Sequence, residues 1–277
     1  MKKFLVIFPL LACACGCVGP GQTPSAGGGG FRFEAEKLPA LMEFPPDPST
    51  CPVLDDTRLC GWSSLVGGIK PALVTDPTDA TQTVVGIHYK CATAPCADIN
   101  EYLKLNLGKW PDPIVGSQDI FWEGDVYFAS PAAGNDRFCG GKINYLRNEW
   151  GPTNDFWSFL STGPTASKPP MFLHVEHFNG TTTVGHDSST KLDYNTWYWL
   201  AIAVHLNTPG QSDGTIRVWL NGSLVPDLNL KSLNLRGNFT TGFRTIDTGD
   251  QVQGSNFSNT EDCWRYLRNI KISKFIP

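Results

Sequence analysis

The densest pattern in the chain is an alternation of apolar and polar positions with a period of two, clearest from Trp197 to Gly222. In WYWLAIAVHL, Tyr198, Leu200, Ile202, Val204 and Leu206 share one side, while Trp199, Ala201, Ala203 and His205 share the other. In IRVWLN, Ile216, Val218 and Leu220 alternate with Arg217, Trp219 and Asn221. Successive side chains of a strand point to opposite sides of a sheet, so both runs predict half-buried antiparallel strands. The connection from Asn207 to Gly214 is made of loop residues, including Pro209, Gly210 and Asp213. Asn221-Gly222 predicts a tight turn, because both residue types tolerate positive φ. One side of this hairpin belongs to a core. The other carries Trp, His, Arg and Trp, which is unusual for a surface that meets only water.

The same alternation predicts strands over 81–89, 119–128, 143–150, 170–178 and 264–275. In 170–178, Leu173, Val175 and His177 fall on one side, and Phe172, His174 and Glu176 on the other. Asn179-Gly180 turns that run into TTTVG, and Leu267, Ile270 and Ile272 are core candidates in the last. Residues 31–35 read as a first strand that pairs with the last. The stretch 38–70 is Pro-rich with two cysteines and predicts stapled loops. In ADINEYLKLNL, Ile99, Tyr102, Leu103 and Leu105 have the spacing of one short helix. The fold class expected is all-β, an antiparallel β-sandwich of jelly-roll type over 31–277, with a Cys-rich loop insertion at about 45–110.

Composition narrows this further. With 17% charged residues, 28 glycines, 21 prolines and 9 tryptophans, the profile suits an extracellular, turn-rich β protein. A net charge of −4 without a basic cluster argues against nucleic acid as a partner. Lys2 and Lys3 precede a short apolar run, 4–11, which is a signal-peptide core rather than a membrane span. Leu10-Leu11-Ala12-Cys13 has the form of a bacterial lipobox, so 1–13 reads as signal peptide with lipidation at Cys13. The alternative is ordinary cleavage nearby, since Cys15 and Cys17 blur the register. Residues 14–30 read as a disordered Gly/Pro/Ser tether. The reading is an exported cell-envelope lipoprotein or a secreted protein, attached to the membrane by the lipid and monomeric.

Six cysteines remain beyond the leader: Cys51, Cys60, Cys91, Cys96, Cys139 and Cys263. An even number in an exported chain suggests a disulfide framework. Short loops favour Cys51–Cys60 and Cys91–Cys96, which leaves Cys139 for Cys263. No CxxC pair or spaced Cys/His set suggests a metal, and Asp155 and Asp213 lack calcium-loop spacing. No cofactor is expected.

The central stretch resembles the signature of concanavalin A-like jelly rolls related to polysaccharide lyases, among them the alginate, glucuronan and heparin lyase families. The matching residues are Trp199, Val204, Asn207, Thr208, Pro209, Gly210, Asp213, Gly214, Trp219 and Gly222. Gly140-Gly141-Lys142-Ile143 resembles the Gly-Gly-Lys start of an inner strand in those families. The resemblance covers about 119–277 and implies the jelly-roll fold, and with it a polysaccharide partner, probed on the concave sheet.

A lyase acting on a uronate must neutralise a carboxylate, remove the C5 proton and protonate the leaving oxygen. The catalytic candidates are Arg147, to hold the carboxylate, His174 as base, Glu176 and His205. Trp199, Arg217, Trp219, Tyr145 and Lys142 are the substrate-binding candidates, the indoles as surfaces for sugar rings. Plainer roles stand beside these. Arg217 and Glu176 suit a cross-strand ion pair. His177 suits a hydrogen-bonded core histidine, His88 and His186 suit loops, and Trp150, Trp157 and Trp264 suit the core. Two functions follow: β-elimination of an acidic polysaccharide, or non-catalytic binding by a lectin-like or laminin-G-like module. An envelope scaffold that binds no sugar is a third.

Overall fold

The computed structural model describes residues 42–44, 60–64, 71–90, 96–106, 118–130, 141–148, 156–163, 171–249, 251–257 and 262–273. Its elements begin with β1 (Met42–Phe44), β2 (Cys60–Ser64), β3 (Ala72–Asp76), β4 (Asp79–Lys90) and β5 (Cys96–Asn106). There follow β6 (Asp119–Phe128), β7 (Lys142–Arg147), β8 (Trp157–Gly163), β9 (Met171–Phe178) and β10 (Thr183–Leu192). The chain continues with β11 (Trp197–His205), β12 (Gly214–Leu220), β13 (Ser223–Leu233), β14 (Thr245–Thr248), β15 (Gln251–Phe257) and β16 (Asp262–Ser273). They form two eight-stranded antiparallel sheets. The first runs β13-β12-β11-β6-β16-β4-β3, with β1 beside β16. The second runs β10-β9-β8-β7-β14-β5-β15, with β2 beside β5.

The expected strands therefore form, and every described element is β. Two expectations differ, and a third lies outside the described residues. The stretch read as a helix is β5, whose backbone pairs with β2, β14 and β15. Its apolar spacing suits either structure, and pairing on both sides decides the contest, as tertiary context commonly does. The stretch read as loops, 38–70, contains β1 and β2. The last strand, β16, pairs with β1, β4 and β6, while 31–35 lies outside the described residues.

One core lies between the sheets, and alternate residues of both supply it. Val85 and Ile87 of β4, Trp122, Val126 and Phe128 of β6, and Leu200, Ile202 and Val204 of β11 face Leu146 of β7, Leu160 of β8 and Leu173 and Val175 of β9. Burying one such side chain contributes roughly 1.5–3 kcal/mol, so the alternation is strongly enforced. Gly124 sits in the middle of β6 because Ile270 takes its side-chain space: a Cβ there would collide with Ile270 Cδ1.

The Asn207-Thr-Pro-Gly stretch proves to be a structural lock. Asn207 is fully buried, and its Oδ1 accepts from the backbone N–H groups of Leu235 and Arg236 at 2.7 and 2.9 Å. Its Nδ2 donates to the Thr208 carbonyl at 2.8 Å. Arg236, also buried, returns its Nε–H to the Asn207 carbonyl at 2.7 Å. Asp213 closes the loop by accepting from the Thr208 N–H and hydroxyl. The turn after β12 is the expected one, with φ of +49° at Asn221 and +82° at Gly222.

His177 is a core histidine, only 3% exposed, yet neither ring nitrogen has a hydrogen-bond partner. It therefore departs from the expected bonded state. Its ring stacks on His186 at 5.8 Å, and His186 lies on β10 rather than in a loop. Burial, reinforced by His186, pushes the His177 pKa from 6.5 down to about 4. Below pH 6.5 the unfolded chain binds this proton, whereas the folded chain resists it until about pH 4. Stability is thus full above 6.5 and declines as the pH falls towards 4, by about 3 kcal/mol from this residue. Denaturant unfolding at successive pH values is expected to show this slope in the parent and a flatter one in His177→Leu. Equal slopes would remove the assignment.

Candidate functional site on the second sheet

The outward side of the second sheet is ordered by its register. Leu173 and Val175 point into the core, so His174 and Glu176 of β9 point out. Reading across the strands, one row holds Asp187, His174, Ser161 and Lys142. The next holds Gly185, Glu176, Tyr145 and Asp247. A third holds Thr183, Phe178, Trp157, Arg147 and Thr245. Neighbouring strands lie about 4.8 Å apart, so His174 and Lys142, two strands apart, are separated by about 10 Å at the backbone.

His174 is half-buried between two carboxylates. Its Nδ1 lies 2.6 Å from Asp187 Oδ1, and its Nε2 lies 3.5 Å from Glu176 Oε2. Burial alone lowers the pKa of this imidazole, but the hydrogen bonds and charges of Glu176 and Asp187 outweigh burial and raise it above 6.5. An aspartate can only accept, so Nδ1–H donates to Asp187 and the lone pair of the neutral ring falls on Nε2. The ring leans over β10, where a Cβ on Gly185 would lie 2.8 Å from its Cε1. Only glycine leaves that space.

The opposite end of the rows is cationic and aromatic. Lys142 Nζ lies 4.7 Å from the centre of the Tyr145 ring, and the Arg147 guanidinium lies 3.9 Å from it. Arg147 also makes an ion pair of 2.5 Å with Asp247, which is fully buried and needs such a partner. Tyr145 meets Trp157 edge to face at 5.5 Å, and Trp157 stacks on Phe178 at 5.8 Å. Trp157 thus lies half-buried on the outward side, not in the core.

Five of the nine candidate residues, Lys142, Tyr145, Arg147, His174 and Glu176, therefore share one surface. The other four do not join them. Trp199, His205, Arg217 and Trp219 lie on the outward side of the first sheet, across the core from the site. There Trp219 and Phe121 meet edge to face at 6.0 Å and pack with Ala201, Ala203 and Trp199 in a small second apolar cluster. This explains the unusual side of the central hairpin: Trp219, 8% exposed, covers two alanines. His205 bonds Asp119 at 2.7 Å. Arg217 and Glu176, on different sheets, form no cross-strand pair. His88 lies on β4, stacked on half-buried Trp264 at 4.1 Å.

Sequence reasoning missed Asp187, Gly185, Trp157, Phe178 and Asp247. The alternation in β10 offered Asp187, but nothing local marks it as the partner of His174, thirteen residues earlier. Cys263 is disulfide-bonded and buried. Cys13, Cys51, Cys91, Cys139, Trp150 and Asp155 lie outside the described residues, as do the side chains of Cys60 and Cys96.

No protein-family model matches the chain, and no curated protein does. Solved structures do. An alginate lyase from Aplysia kurodai is 17% identical, with a TM-score of 0.52 over 74% of this chain and 87% of that one. The alginate lyase Aly36B, as a variant in complex with alginate tetrasaccharide, is 13% identical, with a TM-score of 0.54 over 78% and 87%. An endo-β-1,4-glucuronan lyase from the fungus Trichoderma reesei is 8% identical, with a TM-score of 0.52 over 82% and 92%. The chain has the antiparallel β-sandwich fold of these polysaccharide lyases.

The pairing of His174 is directly testable. Its imidazole is expected to titrate above pH 6.5 by NMR, and Asp187→Asn to shift that titration downward by removing one carboxylate. A parent value at or below 6.5 would contradict the geometry.

Proposed function

We propose that this protein cleaves an acidic, uronate-containing polysaccharide by β-elimination on the outward side of the second sheet. The observation that carries the reading is the gathering of His174, Tyr145, Lys142 and Arg147 on one registered surface. The lyase fold of its structural neighbours supports it, and so does the alginate tetrasaccharide held by one of them.

Each group has a task in that reaction. Neutral His174 takes the C5 proton on Nε2, with Asp187 fixing the tautomer and holding the imidazolium that forms. The C5 electron pair then makes the C4–C5 double bond as the C4–O bond breaks. The Tyr145 hydroxyl, two strands away from His174 on the same surface, gives its proton to the departing oxygen. Lys142 and Arg147 stand beside Tyr145 and set positive charge against the substrate carboxylate, whose charge grows as C5 loses its proton. Buried Asp247 holds Arg147 in place. Trp157 and Phe178 offer apolar surface alongside for a sugar ring.

Export and a lipid anchor at Cys13 complete the reading, supported by Lys2, Lys3, the short apolar run and Leu10-Leu11-Ala12-Cys13. Two lipid chains suffice for stable attachment. A binding module without chemistry is the second reading. The Arg147–Asp247 pair favours it, because that guanidinium already has a counter-ion.

Incubation with alginate, glucuronan and glycosaminoglycans, followed by ultraviolet absorbance of unsaturated uronate, decides between them. The expected result is product from at least one polymer, with kcat/KM reduced about 100- to 10,000-fold in His174→Ala and in Tyr145→Phe. Binding without product from any polymer would establish the second reading. Product that survives both substitutions would move the chemistry elsewhere.

A further inference from the structure

Lys142 and Tyr145 share a surface although they stand three residues apart. A regular strand has period two and would place them on opposite sides. The register of β7 against β8 shifts between Lys142 and Asn144, and this irregularity resets the alternation. Ile143 and Leu146 then face the core, while Tyr145 and Arg147 face out beside Lys142.

The carbonyls at the shift go three ways. That of Gly141 accepts from the Thr162 N–H at 2.9 Å, and that of Ile143 from the Gly249 N–H at 2.7 Å. The Leu160 N–H donates to Asn144 Oδ1 at 3.0 Å. The Lys142 carbonyl accepts from Arg265 Nη1 at 2.5 Å. Arg265 belongs to β16, in the other sheet, and is fully buried.

A guanidinium in this position is costly. It lies 5.1 Å from the Tyr89 ring centre and 5.3 Å from that of Phe128, and its Nε and Nη2 have no hydrogen-bond partner. No carboxylate among the described residues pairs with it. A Met or Leu would fill the same volume without the desolvation cost of a charge. What an apolar side chain cannot do is donate across the core to a carbonyl of the facing sheet.

We propose that Arg265 is a positioning residue for the candidate site. By holding the Lys142 carbonyl from beneath, it fixes the irregularity in β7 and so keeps Lys142 beside Tyr145 on the substrate side. The catalytic consequence rests on the lyase reading; the placement of Lys142 does not, and the two are measured separately.

Placement is read by NMR after reductive ¹³C-methylation of lysines, with the Lys142 signal assigned through Lys142→Arg. In the parent, the Tyr145 ring shifts that signal upfield. In Arg265→Met, folded by near-ultraviolet circular dichroism, it is expected to move to the position of solvent-exposed lysines. Catalysis is read on the polymer that yields product, where kcat is expected to fall about 100-fold through misplacement, with KM little changed. Should Arg265→Met not fold, Arg265→Gln, too short to reach the carbonyl, takes its place with the same expected outcomes. A folded variant with an unmoved Lys142 signal overturns the proposal. So does an unmoved kcat in an active enzyme, or the unfolding of both variants, which would make the residue purely structural. If the parent yields no product from any polymer, the lyase reading fails alone and the Lys142 signal still judges the brace.

Discussion

Every side chain that reaches the candidate site does so because its neighbour in sequence is buried. His174 and Glu176 face out because Leu173 and Val175 cannot. Arg147 faces out because Leu146 is fully buried. The shared core between the two sheets is therefore more than a source of stability. It is the device that aims the polar groups, since a slip of one residue in any strand would reverse every orientation in it.

Within that frame, the charges of the site arrive already partnered. Asp187 and Glu176 bracket His174, and Asp247 holds Arg147. Side chains so tethered have little rotamer freedom left to lose when a substrate binds. The tethers also grade the two ends of the surface. The imidazole end is framed by carboxylates and the phenol end by cations, so the surface carries opposite fields at its two edges.

The strands were legible in the sequence because the core demands alternation, and alternation is a pattern of single residues. Tyr198 to Leu206 and Leu173 to His177 could be assigned to sides from letters alone. Which sides would lie together was not legible, because that depends on strand order. β11 pairs with β6 and β9 pairs with β8, so Trp199 and His174 belong to different sheets although both alternate in the same way. The Asn207 motif was conspicuous for a related reason: a buried asparagine that serves two backbone N–H groups allows few substitutes, and its work is to lock a loop. β5 was misread because Ile99, Tyr102, Leu103 and Leu105 satisfy a helix as well as a strand, and only the pairing strands exclude the helix. Asp187 and Asp247 were invisible as partners, since nothing near them in sequence points to His174 or Arg147.

The irregularity at Lys142 makes the site sensitive to the number of residues as well as to their identity. A substitution at any one position in 141–147 changes one side chain and leaves its neighbours facing as before. Loss or gain of one residue there would re-phase the strand, sending either Lys142 or the Tyr145 and Arg147 pair into the core. The length of this segment therefore constrains the site as strictly as the identities of its residues do, and a change in chain length is tolerated only in the connections on either side.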